Sequence, residues 1–222
     1  MGTLYLVRHG QASFGAEDYD QLSALGLRQS RRLGEYLAHK GVRFQAALTG
    51  TLRRQTQTFA AICESAEVAL KALPWPGLNE YDSAAVIAAI HPQPLGKPDT
   101  PEIYRQHFRL LRDGLTQWMG GGVSPRGMPS YPAFVEGVRS ALDHVRDNFD
   151  GNVLLVSSGG PISTAVGHVL GTAPQTTIEL NLRIRNTSVT EFSFNPKRHT
   201  LLTFNTLPHL DAAQYVDWVS YA

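Results

Sequence analysis

The chain has 222 residues, 42% of them hydrophobic and 18% charged, which suits one sizeable globular domain, with room for an insertion, and excludes a disordered chain. A formal net charge of +1 gives no reason to expect a nucleic acid or an anionic membrane as partner. The single cysteine, Cys63, cannot form an internal disulfide, no signal-peptide pattern opens the chain, and no apolar run approaches the ~20 residues that span a bilayer, so a cytoplasmic setting is expected.

Thr3 to Val7 is a short, apolar, β-favouring run, and Arg8-His9-Gly10 breaks the pattern where a buried parallel strand would surface. A strand end is a rigid mount. An imidazole fixed there can attack phosphorus while the neighbouring guanidinium holds the phosphoryl oxygens, and glycine lets the backbone turn close to a ligand. Gln11 to Gln21 reads as a loop over that strand end. Ser23 can cap a helix running to about Lys40, with Leu25, Leu33 and Leu37 on one side and Gly41 as its stop. Phe44 to Thr49 is a second strand. Thr49 or Thr51 then opens a helix with Leu52, Phe59, Ile62, Cys63 and Ala66 near helical spacing.

That register puts Arg53 and Arg54 in the first helical turn, where cations oppose the helix dipole. Either an anion is expected there, or the pair is solvated near a surface carboxylate. Glu67 to Leu73 alternates as a strand would, and Pro74 to Gly77 ends it. Leu78 to Asp82, including Glu80, follows in irregular backbone.

Ser83 to Pro98 begins as a short apolar helix, and Thr100-Pro101-Glu102 starts a longer one. Tyr104, Phe108, Leu111, Leu115 and Trp118 trace one face of it, as core or lid packing, before Gly120 to Gly122 terminates it. Val123 to Pro132 is a connection rich in Gly, Pro and Ser. A helix from Ala133 to Phe149 places Phe134, Val138, Ala141, Leu142 and Val145 on one face. Val153 to Val156 is a buried strand, followed at once by Ser157 to Pro161 and a helix from Ile162 to Leu170. Small residues at that junction leave room for an anion on the backbone N–H groups, or serve tight helix-on-sheet packing. Thr187 to Phe194 and Thr200 to Phe204 make an antiparallel hairpin at a sheet edge. The tail, with Tyr215, Val216, Trp218 and Tyr221, packs on the body or on a second subunit, so a homodimer is possible.

Alternating strands and helices argue for a mainly parallel sheet covered on both faces, with ligands beyond the carboxyl ends of its strands. Arg8 to Gly10, Thr49 to Arg54 and Ser157 to Gly160 each occupy such an end. Together they supply an imidazole, arginines and a donor loop, the groups a transferring phosphoryl group needs.

Here the chain resembles the histidine phosphatase superfamily, the phosphoglycerate mutase-like proteins. The resemblance is carried by Leu6 to Gly10, by Asp20 to Ser23 leading to Gly26 and Gln29, and by Leu52 to Thr58. Leu78 to Glu80, Val156 to Gly160 and Asn186 to Val189 complete it. It implies an α/β fold, a three-layer αβα sandwich over residues 1–222 with a cap insertion at about 83–132 that selects substrate. It further implies that His9 becomes phosphohistidine, that Arg8 and Arg54 bind phosphate, and that Glu80 protonates the leaving oxygen. No metal or other cofactor is implied, and neither an H-E-x-x-H pattern nor a cysteine cluster is present.

Two positions depart from the pattern. Ser158 stands where the second histidine normally precedes the Gly-Gly pair, and Gly15 where an asparagine usually follows Arg-His-Gly. Losing one donor to developing charge typically costs on the order of 10²–10³ in rate. The Ser157 and Ser158 hydroxyls, with Gly159 beside them, are candidate phosphate donors in its place, and Gln11 and Ser13 could partly replace the asparagine. The expected activity is therefore metal-independent hydrolysis of a small phosphorylated substrate, attenuated by Ser158. The alternatives are a weak or inactive protein that binds inorganic phosphate as a scaffold, and a phosphoglycerate mutase, although the Trp and Asn of a mutase-like sequence after Arg-His-Gly are absent.

Overall fold

The computed structural model describes residues 1–13, 20–93, 95–96 and 100–221. Six strands, β1 (Gly2–Arg8), β2 (Phe44–Thr49), β3 (Ala72–Pro74), β4 (Asn152–Ser157), β5 (Val189–Asn195) and β6 (Arg198–Thr206), form one sheet in the order β3-β2-β4-β1-β5-β6. The first four run parallel, and the β5–β6 hairpin joins antiparallel along β1. This is the mainly parallel sheet with an antiparallel edge hairpin that the alternation of elements predicts.

Among the described residues seven α-helices pack about it: α1 (Ala24–His39), α2 (Arg53–Ser65), α3 (Ser83–Ala88), α4 (Pro101–Met119), α5 (Tyr131–Asn148), α6 (Gly159–Leu170) and α7 (Pro174–Leu182). The period of two along each strand divides the core into two layers. Leu4, Leu6, Val153, Leu155, Phe192 and Phe194 meet Val138, Leu142 and Val145 of α5 and Ile162 and Val166 of α6 on one face. Val7, Ala47, Leu154, Val156 and Val189 meet Leu33 and Leu37 of α1 and Ile62 of α2 on the other. β4 is apolar at four successive positions because both faces bury it, and each Val or Leu so enclosed contributes about 1.5–3 kcal/mol.

Four sequence readings are corrected. The strand expected over Glu67 to Leu73 shrinks to Ala72–Pro74, because only Ala47 to Thr49 of β2 offers it partners. Upstream, Glu67 takes a left-handed φ of 53° and Val68 N–H closes on Cys63 O at 3.1 Å, finishing α2 instead. Second, α2 starts at Arg53 with Leu52 as its cap residue, not at Thr49 or Thr51, since Gln55 Oε1 accepts the Leu52 N–H. Third, α6 begins at Gly159, so the small residues after β4 are its first turn. Fourth, α7 was not foreseen: only Thr177 and Ile178 of it are buried, too weak an apolar stripe to register.

The aromatic face of α4 divides. Leu115 and Trp118 are buried, with the Trp118 ring 5.9 Å from Tyr81, 5.2 Å from Tyr131 and 5.4 Å from Phe134. Tyr104, stacked on Phe108 at 5.8 Å, is 47% exposed. The tail packs on the body: Arg28 and Arg32 of α1 lie over the rings of Trp218 and Tyr215 at 5.0 and 5.2 Å. Among the described residues no helix is long and apolar enough to cross a membrane.

Candidate active site

His9 leaves the end of β1 at the carboxyl edge of the sheet, where its N–H bonds to Ser157 O at 2.9 Å and its carbonyl accepts Asn186 Nδ2 at 3.1 Å. The side chain is 3% exposed. Its Nδ1 lies 2.7 Å from Gly10 O. A carbonyl can only accept, so Nδ1 carries the proton and Nε2 keeps the lone pair. Burial, then the charges of Arg8 and Arg54, holds the imidazole well below its usual pKa, with the Gly10 carbonyl opposing. The ring is therefore neutral, with the Nε2 lone pair available. Gly10 must be glycine, since a Cβ there would lie 2.4 Å from Gly26 O of α1.

Arg54 reaches the same spot from α2. Its Nε donates to His9 Nε2 at 3.2 Å, and its Nη1 pairs with Asp20 Oδ1 at 2.7 Å. Asp20 Oδ2 also accepts the Arg53 N–H at 2.9 Å. The anion that two arginines at a helix start require is thus supplied in part by Asp20, which caps α2 and holds the guanidinium. Arg8 donates through Nη1 to the carbonyls of Ile184 and Tyr221, the latter at 2.6 Å, and its charge acts on both His9 and Glu80.

Glu80 approaches from the turn after β3. Both its oxygens accept the Gly160 N–H at 3.1 Å, in the first turn of α6. Desolvation raises its pKa, opposed by the Gly160 N–H, by Arg8 and Arg54, and by the Tyr81 N–H. Only glycine allows this approach, because a Cβ on Gly160 would lie 2.1 Å from Glu80 Oε1.

The remaining sequence candidates take other places. Ser158 is wholly buried and accepts Gln55 Nε2 at 2.9 Å. Gly159 is the first residue of α6, packed so that a Cβ would meet Asn181 Oδ1 at 2.7 Å. Gln11 turns its Oε1 to the Ser23 hydroxyl at 2.8 Å, and Ser13 N–H bonds to Gln21 O at 2.8 Å. Gly15 lies outside the described residues. Sequence reasoning missed two side chains of the site. Asp20 and Gln55 were visible only as parts of the motifs that carry the resemblance, with no role attached to either.

A nucleophilic imidazole, a guanidinium beside its lone pair and a carboxyl group with a raised pKa can together carry a phosphoryl transfer. Known proteins agree at the level of fold and family. A phosphoserine phosphatase from Entamoeba histolytica superposes with a TM-score of 0.66 at 21% identity, covering 95% of this chain and 100% of that one. A phosphoglycerate mutase from Bacillus anthracis gives 0.65 at 19%, covering 94% of each chain. A mycobacterial glucosyl-3-phosphoglycerate phosphatase gives 0.67 at 21%, covering 93% of this chain and 100% of that one. In sequence, a 2,3-bisphosphoglycerate-dependent phosphoglycerate mutase from Methylorubrum populi is 34% identical over 86 residues, 36% of this chain. That match takes in 41% of the mutase, so the chain spans less than half the length of the curated relatives it matches. The family described as histidine phosphatase superfamily (branch 1) matches residues 4–207, and the chain belongs to it.

Proposed function

We propose that the protein is a metal-independent phosphatase that hydrolyses small phosphomonoesters through a phosphohistidine at His9. The observation that carries this reading is that one sheet edge brings together a neutral, Nδ1-protonated imidazole and a part-buried carboxyl group whose pKa is raised by desolvation. In the first step His9 Nε2 attacks phosphorus, the ester P–O bond breaks, and the leaving oxygen takes the proton of Glu80. In the second, water attacks the phosphohistidine, Glu80 takes its proton, the P–N bond breaks and inorganic phosphate departs. Arg54 moves from His9 Nε2 to the phosphoryl oxygens as the ester enters, and Arg8 adds charge from the tail side.

Ser158 lies beneath Gln55 and away from solvent, so it does not replace the second imidazole as a direct donor, and turnover is attenuated. Residues 83–132 act as the cap that selects the alcohol, with the exposed ring of Tyr104 stacked on the half-buried Phe108. The names of relatives and neighbours, phosphatases and mutases of small phosphorylated metabolites, fit that substrate class. The sequence match to mutases favours phosphoglycerate isomerisation as the second reading.

The test is turnover of an aryl phosphate together with trapping of the acid-labile phosphoenzyme. The natural chain should turn over and label, whereas His9→Ala should fall to background, on the order of 10⁴-fold or more. Turnover unchanged by that substitution rejects the nucleophile. Tight phosphate binding with no turnover supports a scaffold, and interconversion of phosphoglycerates faster than hydrolysis supports the mutase.

A further inference from the structure

Gln55 is wholly buried at the start of α2, beside the position the second histidine would occupy. Its Nε2 donates to Ser158 Oγ at 2.9 Å and to Leu78 O at 3.0 Å, while its Oε1 accepts Leu52 N–H at 3.1 Å. One carboxamide thus ties together the α2 N-terminus, the end of β4 and the turn that leads into Glu80. Ser157 Oγ adds a second bond to Leu78 O at 2.7 Å. Across the same turn, Asn79 exchanges bonds of 2.6 and 2.7 Å with Thr51. Gly50 makes the room, since a Cβ there would lie 2.0 Å from Gln55 Oε1.

Both hydrogens of the Gln55 amide are committed, so none remains for a phosphoryl oxygen. We propose that Gln55 is a positioning residue for phosphoryl transfer: it fixes the Leu78–Glu80 turn, and so the Glu80 carboxyl, against His9, and does this from the volume a histidine at position 158 would need. Its consequence for turnover rests on the phosphatase reading. Its effect on Glu80 does not.

The geometry further implies that Ser158→His by itself restores little, because Ser158 Oγ lies only 2.9 Å from Gln55 Nε2, closer than a ring carbon in its place could stand. Positions 55 and 158 have to change together.

The deciding variant is Gln55→Met, which keeps length and volume but removes both donors. Two measurements are made on it: the titration of the Glu80 carboxyl followed by carbon NMR, and turnover of an alkyl against a nitrophenyl phosphate. The Glu80 titration should move by about half a pH unit or more, with Arg8 and Arg54 still in place. Alkyl ester turnover should fall about tenfold or more, while the nitrophenyl ester, whose leaving group departs with little proton help, should change by less than about threefold. An unmoved Glu80 titration, or equal losses on both esters, overturns the proposal. If the natural chain turns over neither ester, the hydrolase reading fails and the Glu80 titration alone still decides the role of Gln55. If Gln55→Met does not fold, thermal unfolding of Ser158→His is compared with that of Gln55→Ala/Ser158→His. A higher Tm for the pair supports competition for one volume, and an equal or lower one overturns it.

Discussion

The carboxyl edge of the sheet and the layer built from α3, α4 and the start of α5 are held together by different forces. At the edge, His9, Gln55, Ser157, Ser158 and Asn186 are buried polar groups tied by named hydrogen bonds. Around Trp118, by contrast, Tyr81, Tyr131 and Phe134 pack ring against ring. Hydrogen bonds are directional and costly to leave unmade, so they fix atoms to within a few tenths of an ångström. Apolar packing tolerates changes of shape more readily. A site of that construction can keep its chemistry while the neighbouring layer changes what it admits.

The comparison breaks most sharply at Glu80. Glu80→Gln keeps an acceptor for the Gly160 N–H but has no proton to give, so turnover of alkyl esters should fall about 10²–10⁴-fold. The pH profile gives the sign. Because the Glu80 pKa is raised, the acid form persists above its ordinary range, and activity declines as pH rises through the raised value. That alkaline limb should vanish in the variant, and a limb that survives assigns the acid elsewhere.

Arg54→Ala removes the guanidinium 3.2 Å from His9 Nε2 and should cost on the order of 10²–10³ in turnover. Lysine should rescue it poorly, since it cannot serve His9 and Asp20 through two fixed nitrogens at once. Full activity in the lysine variant would reduce Arg54 to a point charge.

In the aromatic layer the expected effect changes kind. Trp118→Ala should lower stability by about 3–5 kcal/mol by denaturant unfolding, through the cavity it leaves and the loss of the Nε1–H bond to Pro129 O. Phosphate affinity of the folded protein, read by calorimetry, should stay within about threefold. Loss of phosphate binding in step with stability would show that the two regions are one cooperative site.

The last effect lies behind the edge and bears on stability alone. His209 is buried, bonded to Thr187 Oγ1 at 3.0 Å, and burial with the charge of Arg32 lowers its pKa from 6.5 to about 3. The unfolded chain binds that proton first, so stability present above pH 6.5 is lost as pH falls toward 3, at up to about 1.4 kcal/mol per pH unit. His209→Gln should flatten the acid side of the Tm-against-pH curve. An unchanged slope would place the acid sensitivity in other groups.

Much of the edge was legible in the chain. β1, β2 and β4 declare themselves by apolar runs that stop at Arg8-His9-Gly10, at Thr49 and at Ser157, and a parallel sheet brings such endings to one side. Glu80 was placed by motif and not by pattern, and Gln55 stood within a motif that says nothing of its partner Ser158, 103 residues away. The stretch from Glu67 misled because alternation describes a strand only where a neighbour supplies hydrogen bonds.

Periodicity and punctuation along the chain determined most of the strands and helices and which edge would carry the chemistry, because burial on two faces imposes its pattern residue by residue. Only the folded structure decided that Asp20 holds Arg54, that Gln55 fills the space beside Ser158, and that Glu80 rests on Gly160. Those are contacts between polar groups distant in sequence, and a hydrogen bond leaves its mark in the distance between two atoms rather than in the order of residues.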